Sequence, residues 1–452
     1  MFTKLNRYEF RENLPEIGSF ALPIFIEQAA IAFMSVISSI MVSNIGISAV
    51  SGVNLVETLN VLIQQIFMSL EIGATVVVAQ FCGKNDLNSA SEASVQAMFT
   101  SVSLALVLCA VMLIFPHQVL DIILGGAEQD VYDAAFTYFT CAVISFPFLA
   151  AYAISTASIR GSGSPSLSLV ATIVTNVLFA LLGFIFIYGF GLGVFGAGLS
   201  LIVSRAIGAA VGLFLLKFKT KTLKITRIFP KKLRWDIQKP ILLIGVPACI
   251  ENLIFMVGKL ITQTYTVPMG TEVMAANAIS NSVTNFYNIP GNTASATVIP
   301  IVGRYLGMGE KEKAKQISWQ VLLLIMGIVT LMSALMAALS WPIASLFTND
   351  PIVQREVVTI NLSYYIAVPV CWVLSFVCPS ILRASGDVNY TTAVAILSMM
   401  LFRVGAGYVF STMLHMGVIG IWLAMYGDWV IRAVLFGIRY FQGKWVNRKL
   451  IR

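Results

Sequence analysis

The sequence is poor in charge, in histidine and in paired cysteine. Only 11% of its 452 residues are Asp, Glu, Lys or Arg, against roughly 25% in soluble proteins. A water-facing surface over most of the chain is thereby excluded. His117 and His415 are the two histidines, and Cys82, Cys109, Cys141, Cys249, Cys371 and Cys378 lie singly in apolar runs without a CxxC pair. Neither set has metal-ligand or redox spacing, so the cysteines read as small buried hydrophobes and no metal or cofactor is expected. No GxxxxGK[ST] loop occurs, which excludes direct drive by ATP. The glycine-rich stretches 161–165 (GSGSP) and 189–198 (GFGLGVFGAG) follow no strand and read as turns. The missing nucleophile–base pair argues against an intramembrane enzyme. The N-terminal stretch 1–16 lacks a cleavage pattern, so the first apolar run reads as a retained helix.

What is abundant is apolar sequence, 58% of the chain. A spanning helix needs about 20 mostly apolar residues. Twelve such runs fall near 17–43, 50–82, 91–115, 130–158, 165–190, 194–216, 240–269, 273–307, 314–340, 354–382, 389–414 and 417–443. With the N-terminus in the cytoplasm, 24 of the 29 Lys and Arg fall on that side, nine of them in 217–239. The other side has Arg355 alone, with Asp121, Glu128, Asp130, Asp133, Asp350 and Glu356. This asymmetry predicts both termini inside an inner, cytoplasmic membrane. It also accounts for the net charge of +8 without nucleic acid. The basic linker is expected on the anionic inner leaflet.

The two halves repeat. At an offset of 224, Pro23, Glu27, Gly46, Gly83, Gly193 and Gly196 meet Pro247, Glu251, Gly270, Gly307, Gly417 and Gly420. At 223, Arg160, Ser162 and Gly163 meet Arg383, Ser385 and Gly386. Six helices per half keep the same orientation, so the symmetry axis runs along the membrane normal. The expected fold is an all-α membrane protein of twelve transmembrane helices in two parallel six-helix bundles. The expected divisions are 1–216, the linker 217–239, and 240–452. Such bundles enclose a cleft suited to alternating access, and one chain carries both, so a monomer suffices.

Polar residues inside the spans mark candidate sites, because a charge in hydrocarbon costs several kcal/mol. Glu57, Gln64 and Glu71 are spaced seven and seven on one face of the second helix. The eighth helix answers with Asn277, Asn281, Asn285, Asn288, Asn292 and Ser295. Asn281, Asn288 and Ser295 are the 224-offset equivalents of that acidic stripe. Interhelical hydrogen bonding would explain one asparagine; the two extended stripes read as walls of a water-filled cleft. Pro290–Gly291 should bend the eighth helix there. Glu27 and Glu251, each about ten residues into its apolar run, are expected near mid-bilayer. Each is a structural hydrogen-bonding acid or a site for a proton or Na⁺. Lys259, Arg403, Asp428 and Arg432 read with Glu251 as a charge network in the C-terminal bundle, Asp428 and Arg432 being i,i+4. Asp428 is a further coupling candidate. Arg205 has no evident partner. Phe286, Tyr287, Tyr364, Tyr365, Trp372 and Trp429 suit packing, or stacking on a cationic solute.

These features resemble the MATE (multidrug and toxic compound extrusion) transporters of the MOP flippase superfamily. The carrying stretches are 21–28 (ALPIFIEQ), 39–55, 73–86 (GATVVVAQFCGKND), 159–165 and 191–198. Further on, 245–261, 275–281, 299–314, 382–387 (LRASGD) and 425–432 (MYGDWVIR) continue the likeness. The resemblance implies exchange of inward H⁺ or Na⁺ for an outward small organic, cationic, drug-like solute. It also marks departures. Ser38 stands where relatives place a first-helix Asp, and Asn176 is kept while Ala180 replaces a fifth-helix acid. Glu251 lies about one turn from the usual seventh-helix acid, and Glu356 sits only near the outer end of the tenth. Coupling therefore falls to Glu27, Glu57, Glu71, Glu251 or Asp428. The alternatives are a flippase for lipid-linked precursors, for which Arg403 and Arg432 speak, and a non-transporting receptor or scaffold.

Overall fold

The computed structural model describes residues 7–43, 45–227 and 229–451. Residues 1–6, placed by the sequence ahead of the first span, lie outside them. All regular structure among the described residues is helical. The chain runs α1 (Arg7–Ser43), α2 (Ile47–Gly83), α3 (Leu87–Ile114), the short α4 (Pro116–Leu124), α5 (Gln129–Ile144) and α6 (Phe146–Gly161). It continues with α7 (Pro165–Phe184), α8 (Gly193–Phe218), α9 (Trp235–Thr264), α10 (Thr271–Tyr287) and α11 (Ile289–Met308). The remainder is α12 (Lys311–Ala338), the short α13 (Ser340–Phe347), α14 (Pro351–Ala367), α15 (Val373–Ala384), α16 (Val388–Ser398) and α17 (Gly417–Phe441).

Ten of these helices or joined helices are long and apolar enough to span a membrane. The bent pair α5–α6, with a 45° break at Ser145, is an eleventh. The remaining expected span is α10–α11, interrupted at Asn288 just before Pro290. A proline in a helix interior removes a backbone bond and crowds the preceding turn, and the asparagines of α10 lower its hydropathy. The layout of twelve helices in two bundles thus stands, with polarity explaining the one segment that fails a purely apolar criterion.

Two packing units emerge. One comprises Leu22–Cys249 with Ile451, the other residues 7–21 with Ile250–Leu450. These do not coincide with the sequence divisions, and the hydrogen bonds say why. The basic segment after α8 is sewn onto the first unit: Lys224 N–H donates to Ser91 Oγ, and Gln96 Nε2 donates to the Lys232 carbonyl. Gln238 Nε2 donates to Gln96 Oε1 at 2.9 Å. Conversely Asn13 Nδ2 donates to Gln320 Oε1, and Tyr305 OH donates to Glu16, inside the second unit.

The first unit closes on small residues. Gly198 of α8 lies against Cys141 and Gly161 against the Thr75 carbonyl, both too close for a side chain, and Gly212 is tight against Ser155. Small residues allow this approach in membranes, where apolar burial drives little. The core proper is Ile63, Phe67, Tyr138, Phe139 and Phe146. The second unit instead fills its core with rings. Tyr364 stacks edge-on against Tyr287, Trp422 and Trp429, and Trp429 against Phe376.

The repeat is written in the backbone as well as the sequence. Gly163 and Gly386 both turn at positive φ, 89° and 85°. Gly196 approaches the Phe186 carbonyl, and Gly420, 224 residues on, approaches that of Phe410, itself 224 after Phe186.

Candidate functional site

Each unit holds a buried acid against a guanidinium. In the first, Glu27 of α1 is 3% exposed. Arg160 Nη1, in the last turn of α6, donates to its Oε1 at 2.8 Å. Ser168 Oγ donates to Oε2 at 2.9 Å and Thr172 Oγ1 to Oε1 at 3.0 Å, both from the first two turns of α7. The other guanidinium nitrogen of Arg160 pairs with Glu71 of α2. Two carboxylates therefore share one cation. In the second unit, Arg383 Nη2, in the last turn of α15, donates to Glu251 at 2.6 Å. Thr392 Oγ1 of α16 donates to the other carboxylate oxygen at 3.2 Å. The equivalent of Glu71 there is Ser295, whose hydroxyl donates to the Phe376 carbonyl at 3.3 Å. This site has one acid for one cation.

Glu27 and Glu251 meet residues within about two turns of the α6–α7 and α15–α16 bends, while each stands near the middle of its own helix, Arg7–Ser43 and Trp235–Thr264. Arg160 and Arg383, which sequence alone assigns to loops, are the partners of these acids. The missed signal was available: an arginine repeats at nearly the same offset as the glutamate.

The stripe on α2 also divides. Glu57 lies fourteen residues, about 21 Å, from Glu71 and belongs to a different network. Asn60 Nδ2 donates to both Glu57 carboxylate oxygens at 3.1 and 3.0 Å, and Tyr138 OH donates to Oε2 at 3.2 Å. Asn60 Oδ1 in turn accepts from Arg205 at 3.3 Å, and Arg205 donates to Ser145 Oγ at 2.6 Å. Arg205 is thus partnered, through residues not singled out by sequence, and it ties α8 to the break between α5 and α6. Gln64, half-buried between the two networks, makes no side-chain hydrogen bond among the described residues.

The asparagines of α10–α11 part in the same way. Asn277 Oδ1 accepts from Trp422 Nε1 at 3.1 Å, Asn288 Oδ1 from Tyr364 OH at 2.6 Å, and Asn281 Nδ2 donates to the Asn277 carbonyl. Asn277 and Asn288 are thereby tied to the ring core, while all three side chains stay half-buried. Asn285 and Asn292 remain exposed on the unit. Asn176 of α7 has an unpartnered buried Nδ2. Of the aromatics, Tyr287, Tyr364, Tyr365, Trp372 and Trp429 are buried among one another and only Phe286 is exposed.

The second-unit charges form two groups rather than one network. Asp428, fully buried, pairs with Arg432 Nε at 2.8 Å, and Arg432 also donates to Ser398 Oγ and the Ala395 carbonyl. Glu251 is taken by Arg383 and does not pair with Lys259. Lys259 and Arg403 have no ion pair or side-chain hydrogen bond among the described residues. A cavity of about 310 Å³ lies elsewhere, between α3, α8 and the segment after it, lined by Met98, Phe214, Lys217 and Arg227 among others. No candidate residue lines it.

Fold and sites together define a duplicated, polytopic helical membrane protein with an acid–guanidinium pair in each half. The MatE family model matches residues 23–185 and again 247–409, the same 224-residue offset as the internal repeat, and the chain belongs to this family of transporters. It is 25% identical to the probable multidrug resistance protein NorM of Thermotoga maritima, over all of this chain and 98% of that one. It is 23% identical to the multidrug export protein MepA of Staphylococcus aureus, over 72% of this chain and 71% of that one. Among solved structures, the Vibrio cholerae MATE transporter VcmN, as an aspartate-to-asparagine mutant, superposes with a TM-score of 0.88 at 16% identity, covering 96% and 98% of the chains. A MOP superfamily transporter of Pyrococcus furiosus, described by the reverse polarity of its binding pocket, gives 0.87 at 18% identity, covering 96% of each chain. At these identities the structural likeness speaks for the fold alone.

Proposed function

We propose that this chain is a secondary active exporter of the cytoplasmic membrane, exchanging inward H⁺ or Na⁺ for small organic solutes. The observation that carries this reading is the pairing of Glu27 and Glu71 with the single cation Arg160. Two carboxylates against one guanidinium leave one negative charge without a fixed partner, in a place where unpaired charge is expensive. A proton or Na⁺ neutralises it. A conformation that gathers the three side chains is favoured when that cation is bound, and one that separates them when it is not. That differential affinity is what a coupling ion needs in order to shift a two-state equilibrium. The relatives named for multidrug resistance and export support organic solutes as the cargo, and the acidic excess of the first unit suits cationic ones. Both termini are cytoplasmic on this reading, and a single chain is the working unit.

The test is efflux of ethidium from proteoliposomes under separate H⁺ and Na⁺ gradients. Glu71→Gln removes the surplus charge but leaves the Glu27–Arg160 pair. We expect gradient-driven efflux to fall about tenfold or more, a loss of at least 1.4 kcal/mol of coupling. Unchanged coupling in Glu71→Gln and in Glu27→Gln would remove this site from the mechanism.

A further inference from the structure

The second unit carries cations inside its spans that nothing balances. Glu251–Arg383 and Asp428–Arg432 are matched pairs. Lys259 and Arg403 are left over, both half-buried. The Arg403 guanidinium lies 5.1 Å from the centre of the Phe255 ring, and that of Arg432 lies 6.0 Å from the same ring. Lys259 follows Phe255 by one turn of α9, on the same face. Gly258 between them is buried against Met399, which brings this face of α9 up to the chain that carries Arg403. Two guanidinium groups thus lie at one ring, with a third cation, Lys259, on the same helix face. Asp428 already serves Arg432, and its second oxygen accepts no hydrogen bond.

The backbone is unusual at the same point. Met399–Ala406, with Arg403 in its middle, winds as a π-helix. Such widened turns are rare and gather at functional sites. The repeat-related stretch of the first unit, 176–183, is ordinary α-helix, and there Ala180 occupies the place of Arg403. The first unit has its own π-helix a few residues later, Ile185–Gly189, so what is particular to the second unit is a widened turn with a cation in it.

A guanidinium in a membrane span is costly unless a counter-charge meets it. We propose that Lys259 and Arg403, with Arg432 adding charge, form a site for an anionic group, a carboxylate, sulfonate or phosphate, on an amphipathic organic molecule whose apolar part lies against Phe255. A role for this site in transport rests on the export reading; the binding does not, because it needs no gradient.

The experiment is equilibrium dialysis on the purified full chain in maltoside detergent, with two probes of matched shape: 4-pentylbenzoate and 4-pentylphenyltrimethylammonium. The wild type binds the carboxylate more tightly than the ammonium. Arg403→Gln weakens the carboxylate about tenfold, the loss of one charge-assisted contact. Arg403→Lys restores most of it, and neither variant changes the ammonium. If Arg403→Gln does not fold, Lys259→Gln decides alone, and it must weaken the carboxylate while sparing the ammonium. Two lipids then separate the sources of the anion. Competition by phosphatidylglycerol but not phosphatidylcholine assigns the site to a lipid headgroup; competition by neither assigns it to a soluble solute. The proposal is overturned if the folded Arg403→Gln/Lys259→Gln protein holds 4-pentylbenzoate as the wild type does, or if both probes weaken together.

Discussion

The site at Glu27 and its repeat at Glu251 share a glutamate, an arginine and a hydroxyl donor from the following helix. They differ in charge at one residue, Glu71 completing the first and Ser295 standing in the second, and the first has one more hydroxyl, that of Thr172. That exchange changes the fixed charge of the site by one unit while the surrounding scaffold stays the same. The halves of a duplicated protein can therefore diverge in chemistry without diverging in fold. The second unit shows the opposite bias elsewhere, where Arg403 replaces the position held by Ala180. One unit has a surplus of buried anion, the other of buried cation.

The strongest way to break the comparison is to remove the arginines. Arg160→Met leaves two buried carboxylates facing each other, whereas Arg383→Met leaves one. Stranding a buried charge costs about 3–5 kcal/mol, and the first variant adds repulsion between like charges. We expect Arg160→Met to lower the thermal midpoint in detergent clearly more than Arg383→Met. Equal losses would mean that Glu71 contributes nothing to the balance. Ser295→Glu sharpens the same point from the other side, since it should make the second site tolerate Arg383→Met less well.

A smaller effect tests whether the close helix approaches are truly equivalent. Gly196→Ala and Gly420→Ala each drive a methyl against a carbonyl at about the same place in the repeat. Overpacking of this kind costs typically 1–3 kcal/mol, and the two midpoints should fall by similar amounts. A loss in only one would show that the units pack differently behind a similar backbone.

The smallest effect concerns helix starts. Asp86 caps α3 by accepting from the Ser89 N–H at 3.0 Å. Its repeat equivalent, Glu310, begins α12 without such a bond. Asp86→Ala should cost about 1 kcal/mol, while Glu310→Ala should cost almost nothing. The bond from Ser89 holds the Asp86 carboxyl below its ordinary range. A lowered folded value means the cap stabilises fully above about pH 4, the unfolded value, and is lost as pH falls through the lowered one. The wild type should therefore lose more stability than Asp86→Ala on acidification through that window, measured by thermal unfolding.

Much of the architecture is legible in the sequence because spans are set by apolar length and turns by glycine and proline. Pro290 foretold the break in α10–α11, and the 224 offset paired Gly196 with Gly420, which the structure finds against equivalent carbonyls. Partner choice is less legible. Helical periodicity places Glu57, Gln64 and Glu71 on one face but cannot say that Tyr138 reaches the first while Arg160 reaches the last. Arg160 and Arg383 were hidden by their position at helix ends, where a cation ordinarily faces water. Asn277 and Asn288 read as cavity lining in sequence, and nothing in helical periodicity says that they also accept from Trp422 and Tyr364, more than 70 residues away.

Arg403 bears on how the protein is made. A helix entering the bilayer with an arginine near its centre is a poor substrate for insertion on its own. Asp428, the acid whose second oxygen accepts no hydrogen bond, follows about 25 residues later, and synthesis at about 5–20 residues per second separates the two by about one to five seconds. The ring Arg403 leans on, Phe255, has been in place far longer. The last two membrane crossings are therefore best released as one hairpin, and a ribosome stalled between them would leave a segment with reason to slip back out.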